Sequence, residues 1–210
     1  MKGSLIVVGF FLLGLLAGHS GTLPAWVTQC DISFVALCGL LLCVGIGIGV
    51  NPDMKSDIKS LSPRLALLPL VTILGSWLGA VVAFLIMSAG DGVVLQHRAL
   101  TDCLALDSGF AYYSLSSIFI TEYRGAELGT IALLANIIRE MITLLLTPLL
   151  AKWAGPLAPI STGGATTMDT TLPIITQTIG QKYVALSIYH GFVTDFTVPF
   201  LVTMWCMMSA

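Results

Sequence analysis

Apolar stretches separated by short polar segments run through the whole chain. Seven of them have the length or composition of membrane-spanning helices: 4–18, 32–50, 65–88, 99–121, 128–150, 160–179 and 183–207. About 20 apolar residues in a helix cross the hydrocarbon core of a bilayer. The pattern therefore predicts an all-α polytopic membrane protein with about seven transmembrane helices, and a single membrane domain over residues 1–210.

The first apolar stretch has two interpretations. It is short for a crossing and follows Lys2, as the apolar part of a signal peptide does, and Ala17 and Gly18 would suit cleavage. Further apolar stretches follow at once, which favours the first transmembrane helix of a polytopic protein.

Composition excludes several classes of function. Of the 210 residues, 56% are hydrophobic and only 10% are charged, whereas about a quarter of the residues in soluble domains are charged. The net charge of -2 and the absence of a basic run argue against a nucleic-acid partner. The cysteines lack paired spacing, so neither disulfides nor a metal site is expected, and no cofactor motif is present.

Basic residues predict the orientation of the chain. A cytoplasmic N-terminus and an external C-terminus place six basic residues on the cytoplasmic side and two outside, as the positive-inside rule requires. The six are Lys2, Lys55, Lys59, Arg64, Arg124 and Lys182, and the two are Arg98 and Lys152. We expect a multi-pass protein of the cell inner membrane.

Two polar segments interrupt the predicted fourth and sixth spans. Residues 107–117 contain Asp107, Tyr113, Ser114 and Ser116, and residues 161–173 contain Thr166, Asp169 and Thr170 beside two adjacent glycines and a proline. Non-helical backbone survives at membrane depth only where protein buries it or a water-filled cavity adjoins it, and broken helices of this kind form the substrate sites of many transporters. The segments are thus broken helices or re-entrant loops at a binding site; loops without a ligand are the plainer alternative.

The predicted fifth span carries a polar stripe near its middle. Asn136, Arg139, Glu140 and Thr143 are spaced i, i+3, i+4, i+7 and share one helical face. Ionisable residues at bilayer depth are costly and usually functional, and a carboxylate there can take up and release a proton. The alternative is that Arg139 and Glu140 only pair with other helices to hold the bundle together.

The last predicted span contains two further ionisable residues. Asp195 lies at mid-depth and is a candidate cavity residue. His190 is equally well explained as a hydrogen-bonding residue of the helix bundle.

Three motifs resemble those of one bacterial family. Segments 109–117 (GFAYYSLSS), 136–140 (NIIRE) and 163–173 (GGATTMDTTLP) occur in order, with His190-Gly-Phe near the end. Through them the chain is similar to the LysO family of lysine exporters over nearly its whole length. The resemblance implies export of L-lysine and of lysine analogues, with Glu140 as a required intramembrane acid. Fused family members carry further N-terminal spans, so we also expect a small membrane partner that supplies them.

Residues and resemblance together suggest a membrane transport domain that exchanges lysine for a cation, most simply a proton. The ammonium groups of lysine would face Glu140 and Asp169, while half-helix N-termini near Ser114–Ser117 and Thr166–Thr171 would face its carboxylate. A homo-oligomer is left open.

Three other classes of function compete with this interpretation. The strongest is a membrane subunit that is inactive without its partner. A passive channel is disfavoured because the polar residues form clusters rather than continuous stripes along several helices. An intramembrane enzyme would need a catalytic motif, and the sequence shows none.

Overall fold

The computed structural model describes residues 2–20, 62–89 and 100–208, together with the single positions 39, 42, 43, 46 and 50. The crossing predicted at 32–50 and the charged loop after it lie almost entirely outside the described residues. Within the described ranges all regular structure is helical and no strand occurs. This confirms the all-α class.

Eight α-helices and three 3-10 turns make up the described part of the chain. The α-helices are α1 (Lys2–Ser20), α2 (Leu68–Ala89), α3 (Leu100–Asp107), α4 (Tyr113–Arg124), α5 (Ala126–Ala154), α6 (Ala158–Gly163), α7 (Leu172–Ile179) and α8 (Val184–Met208). The 3-10 turns are Pro63–Leu67, Gly164–Met168 and Gln181–Tyr183.

Three helical segments among the described residues are long and apolar enough to cross a membrane. They are Pro63–Ser88, Ala126–Ala154 and Gln181–Met208, which correspond to α2, α5 and α8 with their adjoining 3-10 turns. Each presents large apolar side chains on its outer surface, for example Leu78, Ile138 and Phe196, all more than half exposed. Such surfaces suit contact with lipid, and the chain is a membrane protein. The total of seven crossings, the orientation of the termini and the single domain over 1–210 stay predictions.

The segments predicted as the fourth and sixth spans are each divided into shorter helices. α3 has 8 residues and α4 has 12, so each is far shorter than the roughly 30 Å core of a bilayer at 1.5 Å per residue. The sixth span is likewise divided into α6, a 3-10 turn and α7. The first break is shorter than the predicted interval of 107–117: α4 begins at Tyr113, and Ser114 and Ser116 are therefore helical.

The two breaks contact each other through their backbones. The Ala165 N–H donates to the Phe110 carbonyl oxygen at 2.9 Å. Phe110 and Ala111 adopt positive φ angles of 43° and 67°, a conformation that non-glycine residues enter rarely and at a cost. We call the paired segments 109–111 and 163–165 the seam.

Glycine is required at both sides of the seam. Gly164 has a φ of 58°, and a Cβ there would collide with the Phe110 carbonyl. A Cβ at Gly109 would collide with the Asn136 side chain on α5. The close approach of the two breaks and α5 therefore depends on residues without side chains.

A buried cluster holds the seam against the long helices. Phe110 is fully buried and belongs to a core that includes Ala132 of α5 and Val198 of α8. Trp77 of α2 and Trp205 of α8 pack edge to face with ring centroids 5.2 Å apart. The broken helices are thus enclosed by α2, α5 and α8, which satisfies the condition for irregular backbone within a membrane.

Candidate functional site

Arg139 on α5 holds the ends of both breaks. Its Nε donates to the Thr162 carbonyl at 3.0 Å, and its Nη2 donates to the Ser161 carbonyl at 3.2 Å. Its Nη1 lies 3.7 Å from Asp107 Oδ1 at the end of α3, and its guanidinium lies over the Phe110 ring, 5.2 Å from the centroid. Arg139 therefore compensates the open carbonyl end of α6 and the charge of Asp107.

Glu140, the next residue of α5, points to a different part of the molecule. Its Oε1 accepts a hydrogen bond from the Thr170 hydroxyl at 2.6 Å. The Thr170 backbone N–H donates to Asp169 Oδ1 at 2.5 Å. Adjacent residues of a helix diverge by about 100°, so Arg139 and Glu140 do not neutralise each other.

Glu140 lines a cavity of about 280 Å³, which we call the acidic pocket. Two other carboxylates, Asp169 after the 3-10 turn and Asp195 on α8, also line it, together with Tyr113 and Ser114 of α4. Among the described residues the lining contains three carboxylates and no basic side chain. Its volume is close to the lower end of small-molecule sites, so the pocket suits a small cationic ligand.

A second cavity of about 510 Å³ lies between α2, α3 and α5, and we call it the ion-pair cavity. Asp107, Arg139 and Asn136 line its polar part. Small residues of α2, namely Gly79, Ala80 and Ala83, line much of the rest. The acid of this cavity already has a basic neighbour, in contrast to the acids of the acidic pocket.

Asn136 fixes the seam between the cavities. Its Oδ1 accepts from the Ala111 N–H at 2.8 Å, and its Nδ2 donates to the Ala132 carbonyl at 2.9 Å and to Ser116 Oγ at 3.3 Å. Asn136 is 3% exposed and Ser116 is fully buried. These contacts give both side chains a role in holding the backbone.

The sequence-predicted site residues divide into three groups. The acidic pocket is lined by Tyr113, Ser114, Glu140, Thr166, Asp169, Thr170 and Asp195. The ion-pair cavity is lined by Asp107, Asn136 and Arg139. Ser116 belongs to neither lining and instead bonds the Tyr112 carbonyl at 2.8 Å.

Sequence reasoning missed Tyr112 of the acidic pocket and also Thr72, which lies outside both cavity linings. Tyr112 lines the acidic pocket, and its place directly before Tyr113 in the polar segment was the available signal. Thr72 of α2 contacts His190 across 118 residues of sequence. No local pattern marks Thr72, because its importance arises only from this distant contact.

The fold and site define a polytopic helical membrane protein whose charged site lies between broken helices. The chain belongs to the lysine exporter LysO family, a family of transporters rather than enzymes, and the family model matches residues 8–206. The family resemblance seen in the sequence motifs is thereby confirmed.

Two relatives were compared with the chain. A protein of Escherichia coli named "Lysine exporter LysO" is 32% identical over 199 residues, which are 95% of this chain and 62% of the relative. A protein of Haemophilus influenzae named "Putative lysine exporter" is 32% identical over 165 residues, 79% of each protein. The chain thus spans less than two thirds of the E. coli relative. No solved structure matches the chain significantly.

Proposed function

We propose that this protein exports L-lysine and lysine analogues across the cell inner membrane, and that the acidic pocket binds the substrate. One observation carries the proposal: three carboxylates, Glu140, Asp169 and Asp195, share one small cavity whose described lining includes no basic side chain. The names of the two relatives support lysine as the substrate.

The charge of the pocket favours a cationic amino acid. Several carboxylates in a partly dehydrated site repel one another and are costly to ionise without a counter-charge. A lysine ammonium group supplies that charge and donates hydrogen bonds to carboxylate oxygens. An amino acid with a neutral side chain would leave the negative charge of the pocket uncompensated where the substrate side chain binds. The site therefore selects for basic substrates.

The beginnings of two short helices support binding of the substrate carboxylate. α4 begins at Tyr113 and α7 at Leu172, each next to residues that line the pocket. Helix N-termini carry partial positive charge and free N–H groups. We assign the carboxylate end of lysine to the Ser114 side of the pocket and an ammonium group to Glu140 and Asp169.

Lysine is exchanged for a second cation across the membrane if the two compete for the same carboxylates. A proton on Glu140 removes the charge that binds the ammonium group, and bound lysine disfavours protonation. Lysine then moves outward and a cation, most simply a proton, moves inward. The Thr170 hydroxyl, 2.6 Å from Glu140 Oε1, orients the carboxylate in this cycle.

The test is lysine-driven proton exchange in vesicles reconstituted with the whole chain. Glu140→Gln keeps the size of the side chain and removes its charge, and it should reduce exchange to the level of empty vesicles. Glu122→Gln is the matched control, because Glu122 is an exposed acid of α4 outside both cavity linings, and it should retain wild-type exchange. Unchanged exchange by Glu140→Gln would remove the acidic pocket from the mechanism.

We further propose a seven-span topology with the N-terminus in the cytoplasm, and additional spans that complete the transporter in the same or a second polypeptide. The E. coli relative has sequence beyond its matched 62%, which supports the second point. Efflux of labelled lysine from cells expressing this chain alone should be lower than from cells that also express such a partner. Equal efflux would contradict the need for one, and reporter fusions to the loops test the orientation.

A further inference from the structure

A buried imidazole connects α2 to the second break. His190 of α8 is fully buried, and its Nε2 lies 3.0 Å from the hydroxyl of Thr72 on α2. Its Nδ1 lies 3.4 Å from the hydroxyl of Thr167 in the 3-10 turn Gly164–Met168. The three side chains form one buried polar row between α2, α8 and the turn.

The acceptors around Thr167 favour one direction for these hydrogen bonds. The Thr167 hydroxyl lies 2.8 Å from the Gly164 carbonyl and 2.9 Å from the Ser187 carbonyl, and both can only accept. When its single proton is donated to one of these carbonyls, its oxygen accepts from His190 Nδ1–H. In the neutral imidazole Nε2 is then the acceptor, and Thr72 donates to it.

The 3-10 turn that Thr72, His190 and Thr167 hold in place contributes residues to both the acidic pocket and the seam. Thr167 lies two residues before Asp169, which accepts from the Thr170 N–H, and three before Thr170, whose hydroxyl donates to Glu140. Ala165 of the same turn bonds Phe110. α8 also approaches the turn at Gly191, where a Cβ would collide with Met168 and the Ala165 carbonyl. α8 therefore fixes the turn by a side-chain bond and by close packing.

We propose that His190 is a positioning residue for lysine binding: together with Thr72 and Thr167 it holds the 3-10 turn directly before Asp169 and Thr170, which line the acidic pocket with Glu140. His190 itself belongs to neither cavity lining, so its effect on the substrate passes through the turn. The inference rests on the proposed function, because the positioned groups are those assigned to lysine.

Substitution of His190 by Asn or by Gln distinguishes the role of ring nitrogen Nδ1 from that of Nε2. The side-chain nitrogen of Asn reaches about as far from the backbone as Nδ1, whereas the end of the longer Gln side chain reaches about as far as Nε2. His190→Asn therefore retains a donor for Thr167. His190→Gln retains a contact with Thr72 and loses the bond that fixes the turn.

The first measurement is the concentration dependence of lysine-driven exchange in reconstituted vesicles. His190→Gln and Thr167→Val should raise the KM for lysine about tenfold with little change in the maximal rate, and His190→Asn should stay within about threefold of wild type. Thr130→Val is the control, because Thr130 bonds only the Ala126 carbonyl within α5. A lower maximal rate with unchanged KM in His190→Gln, or no rescue by His190→Asn, would overturn the proposal.

The second measurement does not depend on transport. Hydrogen–deuterium exchange of the purified whole chain should show faster uptake over residues 164–171 in His190→Gln than in wild type, with unchanged uptake over α5. Unchanged uptake over 164–171 would overturn the positioning role. If wild-type vesicles show no lysine exchange while uptake rises as expected, the proposed function fails and the connection between His190 and the turn stands.

Discussion

The two cavities on either side of the seam differ in whether their acids have a basic side chain nearby. In the ion-pair cavity Asp107 lies 3.7 Å from the Arg139 guanidinium. In the acidic pocket Glu140, Asp169 and Asp195 line a common space without a basic side chain among the described residues. The described residues thus give Asp107 a basic neighbour within the protein and give the three acids of the acidic pocket none in its lining.

Neighbouring residues of one helix produce this contrast. Arg139 and Glu140 follow each other on α5, yet the first contacts Asp107 and the carbonyls of Ser161 and Thr162, and the second contacts Thr170. A single helical step therefore connects Arg139, which holds both breaks, with Glu140, the acid that we propose binds the substrate.

We expect the largest effect from removal of the Arg139 side chain from the ion-pair cavity. Arg139→Leu leaves Asp107 without its basic neighbour and removes two donors to carbonyls, so we expect a loss of about 3 kcal/mol in the free energy of unfolding. Reversible unfolding in detergent micelles measures it.

Removal of one charge from the acidic pocket, in Asp195→Asn, is the matched comparison for Arg139→Leu. Asp195→Asn should change the free energy of unfolding by less than about 1 kcal/mol, because it reduces repulsion among acids rather than breaking a pair. Equal destabilisation by Arg139→Leu and Asp195→Asn would contradict the distinction between the cavities.

An intermediate effect is expected at the seam that separates the cavities. Gly164→Ala forces a Cβ against the Phe110 carbonyl at a positive φ, and it should cost about 2 kcal/mol in the same unfolding measurement. Gly180→Ala is the control: Gly180 also has a positive φ, of 97°, but a Cβ there meets nothing within 4 Å. If Gly164→Ala lowers the free energy of unfolding no more than Gly180→Ala does, the two breaks can move apart at the seam without loss of stability.

The smallest effect should come from the hydroxyl that orients Glu140. Thr170→Val removes the 2.6 Å hydrogen bond to Glu140 Oε1 and should raise the KM for lysine about fivefold. Thr178→Val removes a comparable hydroxyl, one that bonds the Ile174 carbonyl within α7, and should leave the KM unchanged. A similar KM for both variants would argue against a role for Thr170 in the pocket.

Local features of the site were predictable from the sequence. The glycines, hydroxyl residues and acids at 107–117 and 161–173 predicted two interrupted spans, because such residues cannot face lipid in a regular helix. The helical period predicted one polar face of α5 with Asn136, Arg139 and Glu140, and all three line the two cavities. These features depend on residues close together in the chain.

Features that depend on distant contacts were not predictable. The Phe110 carbonyl meets Ala165 across 55 residues, and the positive φ angles fall on Phe110 and Ala111 rather than on Gly109 beside them. Ser116 was grouped with the binding residues because a serine in a span suggests a cavity, yet it bonds backbone and Asn136. Its environment is set by α5, which the local sequence does not specify.

The hydrogen bond between Ala165 and Phe110 uses main-chain atoms only. Side-chain substitutions at these positions leave its donor and acceptor in place, with proline at position 165 the exception because it has no N–H. A pocket side chain such as that of Asp195 can therefore be exchanged without removing the donor or the acceptor of this bond. The main-chain contact that joins the two breaks is thus independent of the side chains to which we assign substrate binding, and variants that change the pocket can be built on an intact seam.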